Sequence, residues 1–138
     1  MGQNFYQRDD RDIKFVLKEH LGVERILDFD VYQGFSMDDF DMILDQAQKI
    51  SANDLAPAFQ DGDRQGCRFE NGKVSVPESF HHCWDVFREG GWFSLAMKTE
   101  YGGQGLPLII AEAAAEFFMS ANFGFCCFSG LGAGNGSM

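Results

Sequence analysis

The chain has 138 residues, 45% of them hydrophobic, and carries 21 Asp and Glu against 11 Lys and Arg for a formal net charge of −10. That length suits one domain, and 15 phenylalanines supply ample material for a core. The negative field argues against DNA, RNA and anionic membrane surfaces as partners, while leaving room for an anionic coenzyme held by a local basic patch or by backbone amides.

The opening MGQNFYQRDDRD has no basic stretch followed by an apolar one, so no secretory signal is expected. Asp10 to Leu21 then places Ile13, Phe15, Val16, Leu17 and Leu21 in a short, partly amphipathic helix that Gly22 stops. Gly22 to Phe35 reads as an acidic connection. Ser36 with Asp39 three residues on forms a capping-box pattern. Phe40, Ile43, Leu44, Ala47 and Ile50 follow at helical spacing, and Asp38, Asp39 and Asp41 sit in the first turn, where the helix dipole favours anions.

Pro57 is expected to bend or end that helix, and DGDRQGCRFENGKVSVP, residues 61–77, is rich in turn formers. Within it Asn71-Gly72, flanked by Phe69 and by Val74 and Val76, predicts a small local hairpin. Pro77 suits the first position of a helix running ESFHHCWDVFREG, which Gly90-Gly91 ends. Next comes EYGGQGLP, residues 100–107, with three glycines and a proline, read as a hinge. A helix from about Pro107 to Ala121 and a last apolar helix from near Asn122 complete the chain. The fold class expected is all-α and bundle-like, with one irregular or hairpin loop.

Charge is unevenly spread. Fourteen of the 21 acidic residues precede position 64, whereas Phe117 to Met138 carries no charge at all. The five glycines of that tail and its two asparagines argue against a membrane span. A segment buried between protein surfaces fits better, since water leaves so large an apolar surface uncovered only at a cost. Self-association is expected where nothing else covers it.

No motif supplies catalytic chemistry. Cys67, Cys83, Cys126 and Cys127 contain no CxxC pair and are read as free thiols of a reducing cytoplasm. His81 and His82 are consecutive and would point about 100° apart on a helix, so they do not converge on a metal. Glu112 and Glu116 lie one turn apart, but the Glu-x-x-His partners of a di-iron bundle are missing. Asp61 and Asp63 lack the glycine and glutamate placement of a calcium loop. GLGAGNG, residues 130–136, follows no strand and precedes no Lys-Ser or Lys-Thr, which removes the phosphate-loop reading.

EYGGQGLP followed by AAAEFFMSAN resembles the acyl-CoA dehydrogenase family, in which a similar glycine loop precedes a helix with a glutamate near its middle and then an apolar helix. LAPAFQDGDRQG (residues 55–66), NGKVSVPESF (71–80), GGW (90–92) and the opening YQRDDRDIKFVLKEHL (6–21) are similar to the larger subgroup that includes methylthiopropanoyl-CoA dehydrogenase-like enzymes. The resemblance implies an N-terminal extension over residues 1–35 and the family's N-terminal helical domain over 36–138, as part of a longer chain. It also implies FAD, bound mostly by a middle β-domain and a C-terminal helical domain, and a glutamate base outside this stretch. That base takes the substrate α-proton while hydride passes from the β-carbon to the flavin.

An acyl-CoA substrate, an electron-transfer acceptor, a homo-oligomer and a cytoplasmic location come with the same resemblance. No catalytic residue is assigned to this chain. Its share would be one wall of the acyl cavity, formed by Phe125, Cys126, Ser129, Gly130 and Ala133. Two rivals remain at this point: a stand-alone helical protein that binds an acyl chain, and a structural protein whose apolar helix docks on a partner.

Overall fold

A computed structural model describes residues 6–136, the side chains of Ser129 and of residues 132–136 excepted. The described residues form five α-helices and one small antiparallel hairpin, the all-α class expected. Helix α1 (Arg11–Phe15) runs into a π turn, Val16–His20, and 3-10 turns follow at Val23–Asp28 and Asp30–Tyr32. Helix α2 spans Met37–Ile50 and α3 Ala56–Gln65, strands β1 and β2 are Arg68–Glu70 and Lys73–Ser75, α4 is Glu78–Glu89 and α5 Leu108–Gly136.

The capping box is formed: the Asp39 amide donates to Ser36 Oγ (3.2 Å), and the Ser36 amide donates back to Asp39 Oδ2 (2.8 Å). From there Phe40, Leu44, Ala47 and Ile50 turn one buried face inward. In the N-terminal segment Ile13, Leu17 and Val23 are buried in the core, and Tyr6, Ile26, Leu27 and Phe35 pack against it half-buried. Phe15, Val16 and Leu21, expected on the apolar face, are exposed; Ile13 and Leu17, four residues apart, take the inward face, which Phe15 and Val16 do not share.

Pro57 neither ends the helix nor leaves it regular. A proline offers no N–H and crowds the carbonyl one turn back, and the strain is taken up by a π turn, Ser51–Leu55, closed by the Ala56 amide on the Ser51 carbonyl. The rod then continues as α3 through Asp61, Gly62 and Asp63, residues expected in a loop. Beyond it the hairpin is present, with Asn71 and Gly72 both at positive φ (51° and 77°), as a tight two-residue turn requires. Pro77 caps α4 from outside, one position earlier than expected.

The glycine stretch is a locked turn where a hinge was expected. The Gln104, Gly105 and Leu106 amides donate to the carbonyls of Ser94, Met97 and Leu95 at 3.0, 2.9 and 2.9 Å. These bonds fold residues 102–106 back on the preceding segment. A Cβ at Gly103 would lie 2.1 Å from the Met97 carbonyl oxygen, so only glycine allows this approach. Leu95, Leu106 and Pro107 are buried beneath it and aim α5 into the molecule.

Helix α5 is the centre of the core. Ile110, Ala114, Phe117, Phe118, Ala121 and Phe125 are all buried on it. At Asn122 the backbone leaves helical values (φ −155°, ψ 80°) and the helix kinks, where the sequence pattern expected a new helix to start. Asn122 is 1% exposed. Its Nδ2 donates to the Leu55 carbonyl (3.1 Å) and its Oδ1 accepts the Phe125 amide (3.0 Å), so it caps the second half of α5 while gripping the seam between the π turn and α3. Around this point Phe87 packs on Phe118 and Phe125 (ring centroids 4.7 and 5.1 Å), and Phe80 stands edge-on to Phe125 at 5.7 Å. Each such pair is worth about 0.5–1.5 kcal/mol beyond its buried area.

Replacing Asn122 with alanine strands a buried carbonyl and a buried amide, and is expected to lower the unfolding free energy by about 2–4 kcal/mol, read from the urea midpoint. Gly103→Ala is expected to destabilise more than Gly102→Ala. The latter meets no atom within 4 Å and carries only the left-handed backbone penalty of about 1–2 kcal/mol. Equal midpoints for the two glycine variants would refute the close-approach argument.

Candidate functional site

The kink divides α5 into a buried first half and a second half whose outer side faces solvent. Phe125 points inward and is 1% exposed among Phe80 and Phe87. Cys126 is half-buried and Gly130 exposed, while the Ser129 and Ala133 side chains lie outside the described ones. On a helix of 3.6 residues per turn, positions 126, 129, 130 and 133 share one face, a stripe of small residues. Beside it Met119, Phe123, Cys127 and Leu131 form a second row with exposures of 41% for Met119, 61% for Phe123 and 76% for Leu131. Phe128 adds its ring, edge-on to Phe80 at 6.1 Å.

This surface has no charge to offer. Burial, and then the neighbouring Cys127 and Cys83, push the Cys126 thiol up to about 12, so it stays neutral. Burial also pushes Cys83 up to about 11, with Asp54 adding to the effect, and its Sγ contacts the Asp54 carbonyl at 3.5 Å. An apolar chain fits such a face. Proton transfer does not.

The other candidates from the sequence resolve as surface or support. His82 Nε2 pairs with Asp54 Oδ1 at 2.8 Å on the outside of α4, while His81 is exposed without joining it. Among the described residues no cluster of three His, Cys, Asp or Glu could hold a metal. Glu112 is exposed. Glu116 is held by Arg8, whose guanidinium also lies 5.1 Å over the Phe117 ring, a cation–π contact on a buried aromatic.

Arg8 belongs to a strap, residues 6–10, laid across α2 and α5. The Tyr6 hydroxyl donates to the Phe117 carbonyl (3.3 Å), and Gln48 Nε2 donates to the Arg8 carbonyl (3.0 Å). Lys14 bridges Asp10 and Asp45, and these hydrogen-bonded carboxylates raise its pKa above the ordinary lysine value. An open groove of about 790 Å³ runs beside the strap and is lined by Asp9, Asp10, Gln48 and Lys49, among others. It shares no residue with the apolar face of α5. Its two carboxylates balance Arg8 and Lys49, and Arg8 is already engaged, so nothing there attracts a dinucleotide pyrophosphate.

Residues Leu108–Phe128 are long and apolar enough to cross a membrane by length and composition, with a mean hydropathy of 1.3. Here that stretch is the core helix, with Ile110, Ala114, Phe117, Phe118, Ala121, Asn122 and Phe125 buried inside the domain. Sequence reasoning placed a break near Asn122 but missed its bond to Leu55, for which the available signal was one cap-forming asparagine inside an apolar helical run.

The family model described as "Acyl-CoA dehydrogenase, N-terminal domain" matches residues 37–137. The chain is 36% identical over 124 residues, 88% of its length, to 3-methylmercaptopropionyl-CoA dehydrogenase of Ruegeria pomeroyi. It is 35% identical over 95 residues, 66% of its length, to a butyryl-CoA dehydrogenase of Syntrophomonas wolfei. With a broad-specificity linear acyl-CoA dehydrogenase of Mycobacterium tuberculosis it shares 28% identity over 119 residues, 85% of its length. The aligned stretches make up 21%, 16% and 20% of these relatives, so the chain spans about a fifth of their length.

The thiols give a pH dependence with a definite sign. An unfolded Cys83 ionises near 9.0 and the folded one near 11, so in that window the folded state binds more protons. Stability is therefore complete below about pH 9 and declines towards pH 11, by on the order of 2–3 kcal/mol from Cys83; Cys126 and Lys14 act in the same direction. Urea unfolding near pH 8 and near pH 11 measures it. A midpoint that does not fall would remove the buried-thiol account.

Proposed function

The chain belongs to the acyl-CoA dehydrogenase family, whose N-terminal domain matches residues 37–137, and on that premise we propose that it is the N-terminal helical domain of an FAD-dependent enzyme that dehydrogenates an acyl-CoA thioester. In this reading residues 36–138 are the domain and residues 1–35 an N-terminal extension, of which residues 6–10 strap onto it. The supporting observation is the uncharged outer face of α5 beyond Glu116, held in place by the Asn122 kink.

In this reading Cys126, Ser129, Gly130 and Ala133 are one wall of the acyl cavity, small enough to leave volume for the chain, and Phe125 closes the wall from behind. The protonated Cys126 thiol keeps that wall apolar and excludes water. Neither Glu112 nor Glu116 is the base, since Glu116 is committed to Arg8. The base and most of the flavin site lie in other parts of the protein, which works as a homo-oligomer in the cytoplasm and passes its electrons to an electron-transfer acceptor. The relatives are named for 3-methylmercaptopropionyl-CoA, butyryl-CoA and linear acyl-CoA. What these share is the CoA thioester, so the reading commits to that substrate class.

A leucine at Gly130 tests the wall. A Cβ there meets nothing within 4 Å, so the domain itself tolerates the change and any effect reports on what lies against it. In the full-length, flavin-loaded protein, Gly130→Leu is expected to move the preference among straight-chain acyl-CoA thioesters towards shorter chains. The kcat/KM for the longest good substrate should drop about tenfold to a hundredfold. An unchanged profile would remove Gly130 from the wall. A full-length protein that holds no flavin would favour an acyl-binding module instead.

A further inference from the structure

Every residue from Asp63 to Ser75 is exposed, so the β1–β2 hairpin stands out from the helical body as an arm. A lone two-stranded hairpin is marginal in water. This one shows solvent an apolar pair on one face, Phe69 opposite Val74, at 73% and 68% exposure. Glu70 and Lys73 flank the two-residue turn and are therefore a hydrogen-bonded pair. Hydrogen-bonded and unbonded pairs alternate along an antiparallel ladder, so Phe69 and Val74 direct their N–H and C=O groups outward, to the two open edges.

We propose that the β1 edge pairs with β1 of a second copy of this chain, antiparallel about a two-fold axis through Phe69, to make a four-stranded sheet. Strand β1 reads Arg68, Phe69, Glu70. Under the two-fold each Arg68 faces the partner's Glu70, and the match occurs twice. Edge charges ordinarily block pairing, but here the symmetry turns them into opposite-sign cross-strand pairs. Phe69 exchanges two N–H to O=C bonds with the partner's Phe69. Strand alternation gathers Phe69 and Val74 of both copies on one face, where they cover one another. Strand β2 reads Lys73, Val74, Ser75 and has no such self-match, because Lys73 would face the partner's Ser75.

This pairing shares no residue with the α5 face, so it stands or falls separately from the acyl-CoA reading. In the full-length protein with Cys67→Ser and Cys127→Ser, Phe69→Cys puts two thiols on a hydrogen-bonded pair about 5.5 Å apart at Cα, within disulfide reach. Oxidation is expected to yield a linked dimer from Phe69→Cys and none from Ser75→Cys. Arg68→Glu, which sets like charges opposite each other twice, is expected to weaken association at least tenfold by sedimentation. Adding Glu70→Arg is expected to restore it, since the reversed pair matches equally well. Equal cross-linking at both positions, no linked dimer from Phe69→Cys, a mass indifferent to Arg68→Glu, or a reversal that restores nothing would each overturn the proposal.

Discussion

One buried side chain ties the two halves of the domain together. Asn122 donates to the Leu55 carbonyl and accepts the Phe125 amide from inside the core. A buried amide side chain is costly unless its bonds are made, so α5 must break at this residue and the α2–α3 rod must bring Leu55 against it. The π turn at Ser51–Leu55, just ahead of Pro57, shifts the rod's register where Asn122 meets it.

The direction of the second half of α5 follows from that bond. With Phe125 turned in against Phe80 and Phe87, the small residues Cys126 and Gly130 fall towards the outside, and Phe123 and Leu131 are left to solvent. The other end of α5 is fixed by different means. The locked glycine turn delivers Leu106 and Pro107 to the core, and the strap places Arg8 over Phe117 and against Glu116. The charged strap and the uncharged segment that begins at Phe117 thus meet along one helix, with charges on its near end and none on its far end.

That division suits a domain which shapes a cavity and does no chemistry itself. Several titratable groups are engaged in the Ser36–Asp39 cap, in surface pairs and in the strap. The stretch from Phe117 on, proposed to face the acyl chain, carries no Asp, Glu, Lys or Arg. A wall needs size and polarity in the right places more than it needs reactive groups, and the neutral Cys126 thiol with the open Gly130 position meets both needs.

Periodicity and caps made much of the fold legible from residues alone: the Ser36–Asp39 box, the Phe40 to Ile50 face, the Asn71-Gly72 turn and the break near Asn122 are local patterns whose physics acts within a few residues. What the sequence could not decide was long-range. Pro57 is compatible with a helix end or with a π turn, and only the Leu55–Asn122 contact, 67 residues apart, selects the second. Glycines 102, 103 and 105 permit a hinge, and only the carbonyls of Ser94, Leu95 and Met97 close them into a fixed turn. Phe15 and Val16 have the hydrophobicity of core residues, yet Ile13 and Leu17 take the face that packs inward and leave them exposed. Local pattern determines which elements form. Which of their apolar faces finds cover depends on partners distant in the chain, and those the tertiary structure alone decided.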